Sequence, residues 1–373
     1  MKTDMKKLQI TVAVTALICC ASILVSTLII GAMSVRLQSQ TVSERWSADG
    51  TKMAQLSAFV SPEAELSAET LERSFTASLD SALVGASISP ANEEARIYAV
   101  GYSAEGSVTL SRTGEYGKTL KSGVSATVVA CGADYFLFHP LTMLSGWYFS
   151  TTDILNDCVI IDNDLAWQFF GSADVVGQML KINGRECYIS GVCESGAAGD
   201  YSEFYGDIPR MYVPYSFAEE LLGSLPVTVV ELVMPDPVGG FAMEMFEDNL
   251  SVDEELCEYV ENSARFEDEY LRERLLSVAS RGVRTKPVAY PYFENTAIKL
   301  SDAAANVYIF KLVPIIILIL SAALELIILY VKRKAIFGAV RARISRFLRD
   351  RRQNKQRKIQ KTTDINSEGD VTI

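Results

Sequence analysis

Histidine is nearly absent: one residue, His139, in a chain of 373. A zinc site built on imidazole, or a Ser-His-Asp triad, would rest on that single ring. It stands between Phe138 and Pro140 in an aromatic segment and reads as a packed or turn residue. No serine sits in a G-x-S-x-G elbow. No Walker A loop is present either. Gly171 and Gly177 enclose five residues rather than four, and Gln178 stands where the lysine belongs. These glycines read as turn residues, Gly171 ending a short helix and Gly177 opening a hairpin. Asp162-Asn163-Asp164 starts like a calcium loop, but Ala166 and Trp167 follow where ligands are needed; a helix cap explains the run better. No C-x-x-C pair occurs. Cys19 and Cys20 lie in an apolar run, which leaves an odd set of five: Cys131, Cys158, Cys187, Cys193 and Cys257. Cys187 and Cys193 share parity on one expected strand, about 20 Å apart if it is straight. Buried small hydrophobes are the expectation, with one bridge left open. No catalytic, cofactor-binding or metal-ligating residue is singled out, so the chain is expected not to be an enzyme and to carry no cofactor.

Cations are scarce through the middle of the chain and concentrated at its ends. Residues 1–9 carry Lys2, Lys6 and Lys7 against Asp4, net +2. Residues 332–373 carry 13 lysines and arginines against four acids, net +9. The whole chain is −11, so the intervening part holds −22. Two long runs are also nearly free of charge. Leu8–Val35 has none, and Leu312–Val331 has only Glu325. At about 1.5 Å per helical residue, roughly 20 residues cross the hydrocarbon core. Both runs suffice. The first is about twice the length of a signal-peptide core, and it is expected to be an uncleaved anchor. Basic flanks stay in the cytoplasm. The expected organisation is a cytoplasmic N-terminus over 1–9, a transmembrane helix over 10–34, an extracytoplasmic domain over 35–306, a second transmembrane helix over 307–331 and a basic cytoplasmic tail over 332–373. The place is the plasma membrane. The acidic exterior argues against nucleic acid as a partner.

Local patterns inside the exterior part mix strands and helices without a regular β-α rhythm, which predicts an α+β fold. Val35–Glu44 reads as a polar continuation of the first helix. Met53–Val60 alternates as a half-buried strand does. Ser67 caps a helix with Leu71, Phe75, Leu79, Ala82 and Leu83 on one face, closed by Gly85. A strand is expected over Ala95–Ser103, completing a β-α-β unit, and a short buried one over Ser125–Gly132. Next come a strand from Cys158, a helix over Asn163–Phe170, and two strands joined at Asn183-Gly184, the dipeptide of a type I′ hairpin. Glu194–Asp207 reads as a loop, Met211–Ser216 and Val227–Met234 as strands, and Ala218–Leu222 and Val238–Leu250 as helices. Glu254–Val278 is acidic and helix-prone, and Val288–Phe293 reads as a last strand.

The tail has its own pattern. Ile336, Phe337, Val340, Ile344, Phe347 and Leu348 fall at helical spacing, with Arg341, Arg343, Arg346 and Arg349 filling most of the rest. Such a helix suits an inner leaflet with anionic headgroups, or a cytoplasmic partner. From Gln360 on, disorder is expected. Glu325 is an acid inside a span, a partner-contact candidate; pairing toward Lys332 and facing another helix both stay open.

Several motifs together resemble one family. They are G-x-D-Y-F at 132–136, G-W-Y-F-S at 146–150, VIIDNDLAWQFFGSADVVGQMLKING at 159–184 and CYISGV at 187–192. In order and spacing they resemble the MacB-like periplasmic core domain of ABC-transporter permeases, closely over about 60 residues and loosely over the exterior part. The resemblance implies a split fold of two subdomains: one of β-α-β units from both ends of the exterior domain, and a β-rich one inserted at roughly 124–222. It implies a mechanical role, in which ATP hydrolysis inside reshapes the exterior domain. Family chains usually carry three spans after the core, in an FtsX-like bundle; one is evident here. The expected function is a non-enzymatic membrane subunit of an ABC-type export or envelope-remodelling transporter. Its partners would be an ABC ATPase and permease subunits, with anionic lipid at the inner leaflet. The alternative is an extracytoplasmic sensor or scaffold that no ATPase drives.

Overall fold

The computed structural model describes residues 2–46, 51–90, 96–114, 118–149, 157–196, 202–277 and 286–368. The chain divides into two compact units, Ser26–Ile309 and the combination of Met1–Val25 with Phe310–Ile373.

Helix α1 (Lys2–Ser34) begins the chain, and a short helix α2 (Val42–Trp46) leads to strand β1 (Met53–Val60). Helix α3 (Thr76–Gly85) follows a π-helical turn over Thr70–Phe75. A long hairpin comes next, β2 (Ala99–Thr113) and β3 (Thr119–Ala133), then α4 (Tyr135–Phe138) and β4 (Met143–Gly146). The middle of the chain builds β5 (Cys158–Asp162), α5 (Asn163–Phe170), β6 (Met179–Ile182), β7 (Arg185–Cys193), α6 (Ser202–Tyr205), β8 (Arg210–Pro214) and α7 (Tyr215–Leu222). The last part holds β9 (Val229–Pro235), α8 (Phe241–Leu250), β10 (Cys257–Glu261), α9 (Asp268–Leu276) and α10 (Tyr292–Glu368).

The described strands make one sheet in the order β10-β1-β9-β2-β3-β8-β5-β7-β4, with β6 pairing both β2 and β7. Two parts of it differ in shape. In the first, β1 and β2 both run antiparallel to β9, which lies between them; likewise β9 and β10 flank β1. The crossings β1-α3-β2 and β9-α8-β10 therefore interlock as split β-α-β units. In the second part the pairings β2-β3, β3-β8, β8-β5, β5-β7, β7-β6 and β6-β2 close into a ring. One side of every ring strand is apolar at period two: Val108 and Leu110, Ala126 and Val128, Met211 and Val213, Val159 and Ile161, Cys187 and Ile189, Leu180 and Ile182 are all buried in one cluster. Closure removes the free edges an open sheet of short strands would expose.

Local chemistry accounts for the tight corners. Asp162 accepts from Leu165 N at 2.9 Å and so caps α5, which Gly171 ends in the left-handed region. Asn183 and Gly184 both have positive φ, 49° and 86°, as a type I′ turn requires. At Gly146 (φ 73°) a Cβ would lie 2.1 Å from Ser190 O, so only glycine lets β4 approach β7 there.

Several expectations are corrected. β1 is buried over its whole length rather than on one side. Its even residues meet α3 and α8 through the main cluster, and on the opposite face Phe59 packs with Phe293 while Met53 packs with Val42. No polar continuation of α1 forms: the helix stops at Ser34, and Leu37 and Val42 are fully buried. Gln55 holds this segment, donating to Ser39 O and accepting from Val42 N at 2.8 Å. The acidic stretch 254–278 is not one helix. Cys257–Glu261 adds to the edge of β1 as β10, and among the described residues of the stretch only Asp268–Leu276 is helical. The predicted strand over 288–293 is absent, because α10 already starts at Tyr292. Within 194–207, Ser202–Tyr205 is helical with Tyr205 buried; residues 197–201 lie outside the described residues. The end expected to be disordered from Gln360 has a helical backbone through Glu368.

Among the described residues, two helices are long and apolar enough to cross a membrane, Ile10–Ser34 and Tyr292–Ile327. Within the smaller unit they touch. Pro314 lacks the N–H that would bond Phe310 O one turn earlier, and Ser22 Oγ of α1 donates to that carbonyl at 2.7 Å.

Candidate functional site

The face of β1 and β9 opposite α3 and α8 carries polar groups that a sheet core does not ordinarily hold. Gln55, Ser57 and Glu231 are all buried, and Ser57 stands directly across from Glu231. A buried polar group must be hydrogen-bonded and a buried charge paired, so each of these side chains needs a partner. Those partners come from the segment between α1 and β1 for Gln55, from the residue after α4 for Glu231 and from the segment after β10 for Ser57, and the first turn of α10 packs against His139.

His139, just past α4, places Nε2 2.5 Å from Glu231 Oε2. Its ring lies between Tyr135 and Phe293, with centroids 4.8 and 4.2 Å away. The sequence expectation of a packed residue holds, and the partner carboxylate is what it did not foresee. Arg265 is fully buried. Its Nη2 donates to both carboxylate oxygens of Glu294 at 2.9 and 2.8 Å and to Asn262 Oδ1 at 3.0 Å. Asn262 in turn donates to Ser57 Oγ at 2.7 Å. This chain of bonds runs from α10 to the middle of β1.

A second cluster adjoins it. Arg210 donates to Glu105 Oε1 at 2.6 Å and to Tyr205 O at 3.1 Å, while its guanidinium covers the rings of Tyr205 and Tyr292 at 4.8 and 4.6 Å. Its backbone N–H donates to Asp162 Oδ2 at 2.8 Å. Burial pushes the Asp162 carboxyl up to about 6, against the pull of the Arg210 and Leu165 N–H groups. Burial also pushes the Tyr205 and Tyr212 phenols up. A cavity of about 260 Å³ opens beside these groups, with Arg36, Ser39, His139, Glu194, Tyr205 and Tyr292 in its wall. The chemistry of the whole region is ion pairing in a water-poor face, and it fixes the segments next to both apolar helices onto the sheet.

Glu231 had a readable signal: a lone carboxylate in the apolar strand VTVVELVM. Arg265 and Glu294 had none, since nothing local couples residues that far apart. Of the residues singled out from sequence, Asp162, Gly171 and Gly184 take the capping and turn roles expected of them. Gly177 has φ 79° and donates to Ile189 O at 2.8 Å where the chain enters β6. The cysteines are free, with Cys131, Cys187, Cys193 and Cys257 buried. Glu325 lies on α10 and is exposed. Arg346 and Arg349 are exposed on the same helix. The side chains of Arg341 and Arg343 lie outside the described residues.

Residues 11–239 match the profile of the family described as the MacB-like periplasmic core domain. Among solved structures the chain is similar to the periplasmic region of MacB from Actinobacillus actinomycetemcomitans, at 15% identity and TM-score 0.39, over 60% of this chain and 93% of that one. It is also similar to the extracellular domain of the noncanonic ABC-type transporter YknZ from Gram-positive bacteria, at 16% identity and TM-score 0.36, over 55% of this chain and 99% of that one. No curated protein matches.

Proposed function

The chain belongs to the MacB-like periplasmic core domain family, and from that premise we propose that it serves as a non-enzymatic membrane subunit of an ABC-type transporter working in export or envelope remodelling. The observation that carries this reading is the extent of the family match, which takes in α1 and the sheet up to the end of β9. The two apolar helices on either side of the domain support a bitopic arrangement. In this reading both termini are cytoplasmic, because the basic flanks resist translocation, and the acidic domain is outside, where it meets a substrate or envelope partner. An ABC ATPase and permease subunits supply the energy and the further spans.

Glu325 is where α10 meets such a subunit. A carboxylate in a span costs about 3 kcal/mol unless it is paired, and Glu325 is exposed on α10. A lysine, arginine or hydroxyl on a neighbouring permease helix would satisfy it.

A gentle-detergent pull-down of the tagged full chain tests the proposal, with mass spectrometry and an ATPase assay on the eluate. The expected result is an ABC ATPase and a multi-span permease in near-stoichiometric amount, lost or weakened in Glu325→Ala. Recovery of the chain without them, or with a signalling or cell-wall protein and no ATPase activity, overturns it in favour of a sensor or scaffold.

A further inference from the structure

We propose that the segment of α10 beyond the span is a docking surface for an anionic lipid bilayer. Ile344, Phe347 and Leu348 are three apolar side chains at i, i+3 and i+4, one strip of the helix, and all are exposed, at 55, 63 and 53%. Leaving such a strip in water forgoes its burial. Arg346 and Arg349 are exposed between and beyond them. The sequence extends both features: Ile336, Phe337 and Val340 continue the apolar spacing, and the region from 332 onward is net +9.

Two observations select the occupant. The first is charge: a cationic helix with an apolar strip complements anionic headgroups over acyl chains. A nucleic acid would answer the arginines and leave Ile344, Phe347 and Leu348 uncovered. The second is continuity. The apolar window of α10 ends at Ile327, so the strip begins within about 25 Å of the bilayer along the helix. Because the backbone is helical throughout, lying along the surface requires a bend after the span. Gly338 stands between the two segments, and a glycine weakens a helix interior by about 1 kcal/mol relative to alanine. The inference rests on α10 crossing the membrane and not on any ABC partner, so a failed pull-down leaves it standing.

The test uses the full chain, purified alone, in nanodiscs of phosphatidylcholine or of phosphatidylcholine with about 30% phosphatidylglycerol. Trypsin cleavage after Arg341, Arg343, Arg346 and Arg349 is followed by mass spectrometry. The expected result is cleavage at least about tenfold slower in the anionic discs, with the protection weakened by salt near 1 M. The double variant Ile344→Asp, Leu348→Asp should be cut at the fast rate in both. Equal rates in the two compositions overturn the proposal. So does protection that survives the double substitution, or that appears only when a copurifying protein or RNA is added back.

Discussion

Asp162 does two jobs at once: it caps α5 and holds the backbone of β8 at Arg210. Its carboxyl is raised from 3.8 to about 6 because burial penalises the charge more than two N–H bonds favour it. The folded state therefore holds this proton more tightly than the unfolded chain. Its stabilising contribution is complete below about pH 4 and is lost as pH rises through 6. The difference amounts to about 3 kcal/mol at most. Asp162→Asn should flatten the fall in unfolding free energy between pH 4 and 7 by about 2 kcal/mol, measured by urea unfolding of the exterior domain. An unchanged slope would refute this. His139 and Glu231 show the same dependence on partners. Each reads as an oddity in its own segment, and each is explained by the other.

At the scale of elements, the start of α10 meets the sheet through Phe293 and Tyr292 and is tied down by one fully buried ion pair. Arg265 and Glu294 face each other with 1 and 2% of their side chains exposed. Breaking such a pair strands a charge, whereas replacing both partners with apolar groups removes the need for either. Glu294→Gln should cost about 3 kcal/mol in thermal unfolding, and Arg265→Met with Glu294→Leu should recover most of it. If the double variant is as unstable as the single one, the pair does more than hold the helix. The elements read correctly from sequence were those with local causes. The face of α3 follows from spacing, the start of α5 from Asp162, and the hairpin from Asn183-Gly184. The misread ones were decided by neighbours. Cys257–Glu261 lies in an acidic, helix-prone stretch and becomes a strand because the edge of β1 offers it a ladder. Val288–Phe293 has strand-like residues, but no strand edge receives it, and Tyr292 and Phe293 open a helix instead.

Across the whole molecule, the ring of strands and the open part of the sheet share strand β2. Ala99–Ser103 pairs with β9, and the same strand continues into the ring, pairing with β6 at Leu110 and Ser111. The main apolar cluster likewise runs through both parts. Residues 26–309, produced without the remaining apolar segments, should therefore fold and unfold in one cooperative transition, with fluorescence and far-ultraviolet circular dichroism coinciding. Two separated transitions would show that the ring and the open part are independent.

What the sequence determined alone is whatever depends on short spacing or on composition. Long uncharged runs mark candidate spans because a helix has a fixed rise per residue. Motifs such as DNDLAWQFFG and ING set caps and turns because a backbone angle is a local matter. The mixed α+β character and the family follow from the order of those motifs. Only the tertiary structure decided which strand lies beside which, that β6 closes a ring against β2, that β1 is covered on both faces, and that Arg265 finds Glu294. Those outcomes depend on contacts between residues distant in the chain, where burying a charge or an edge is favourable only once its partner has arrived.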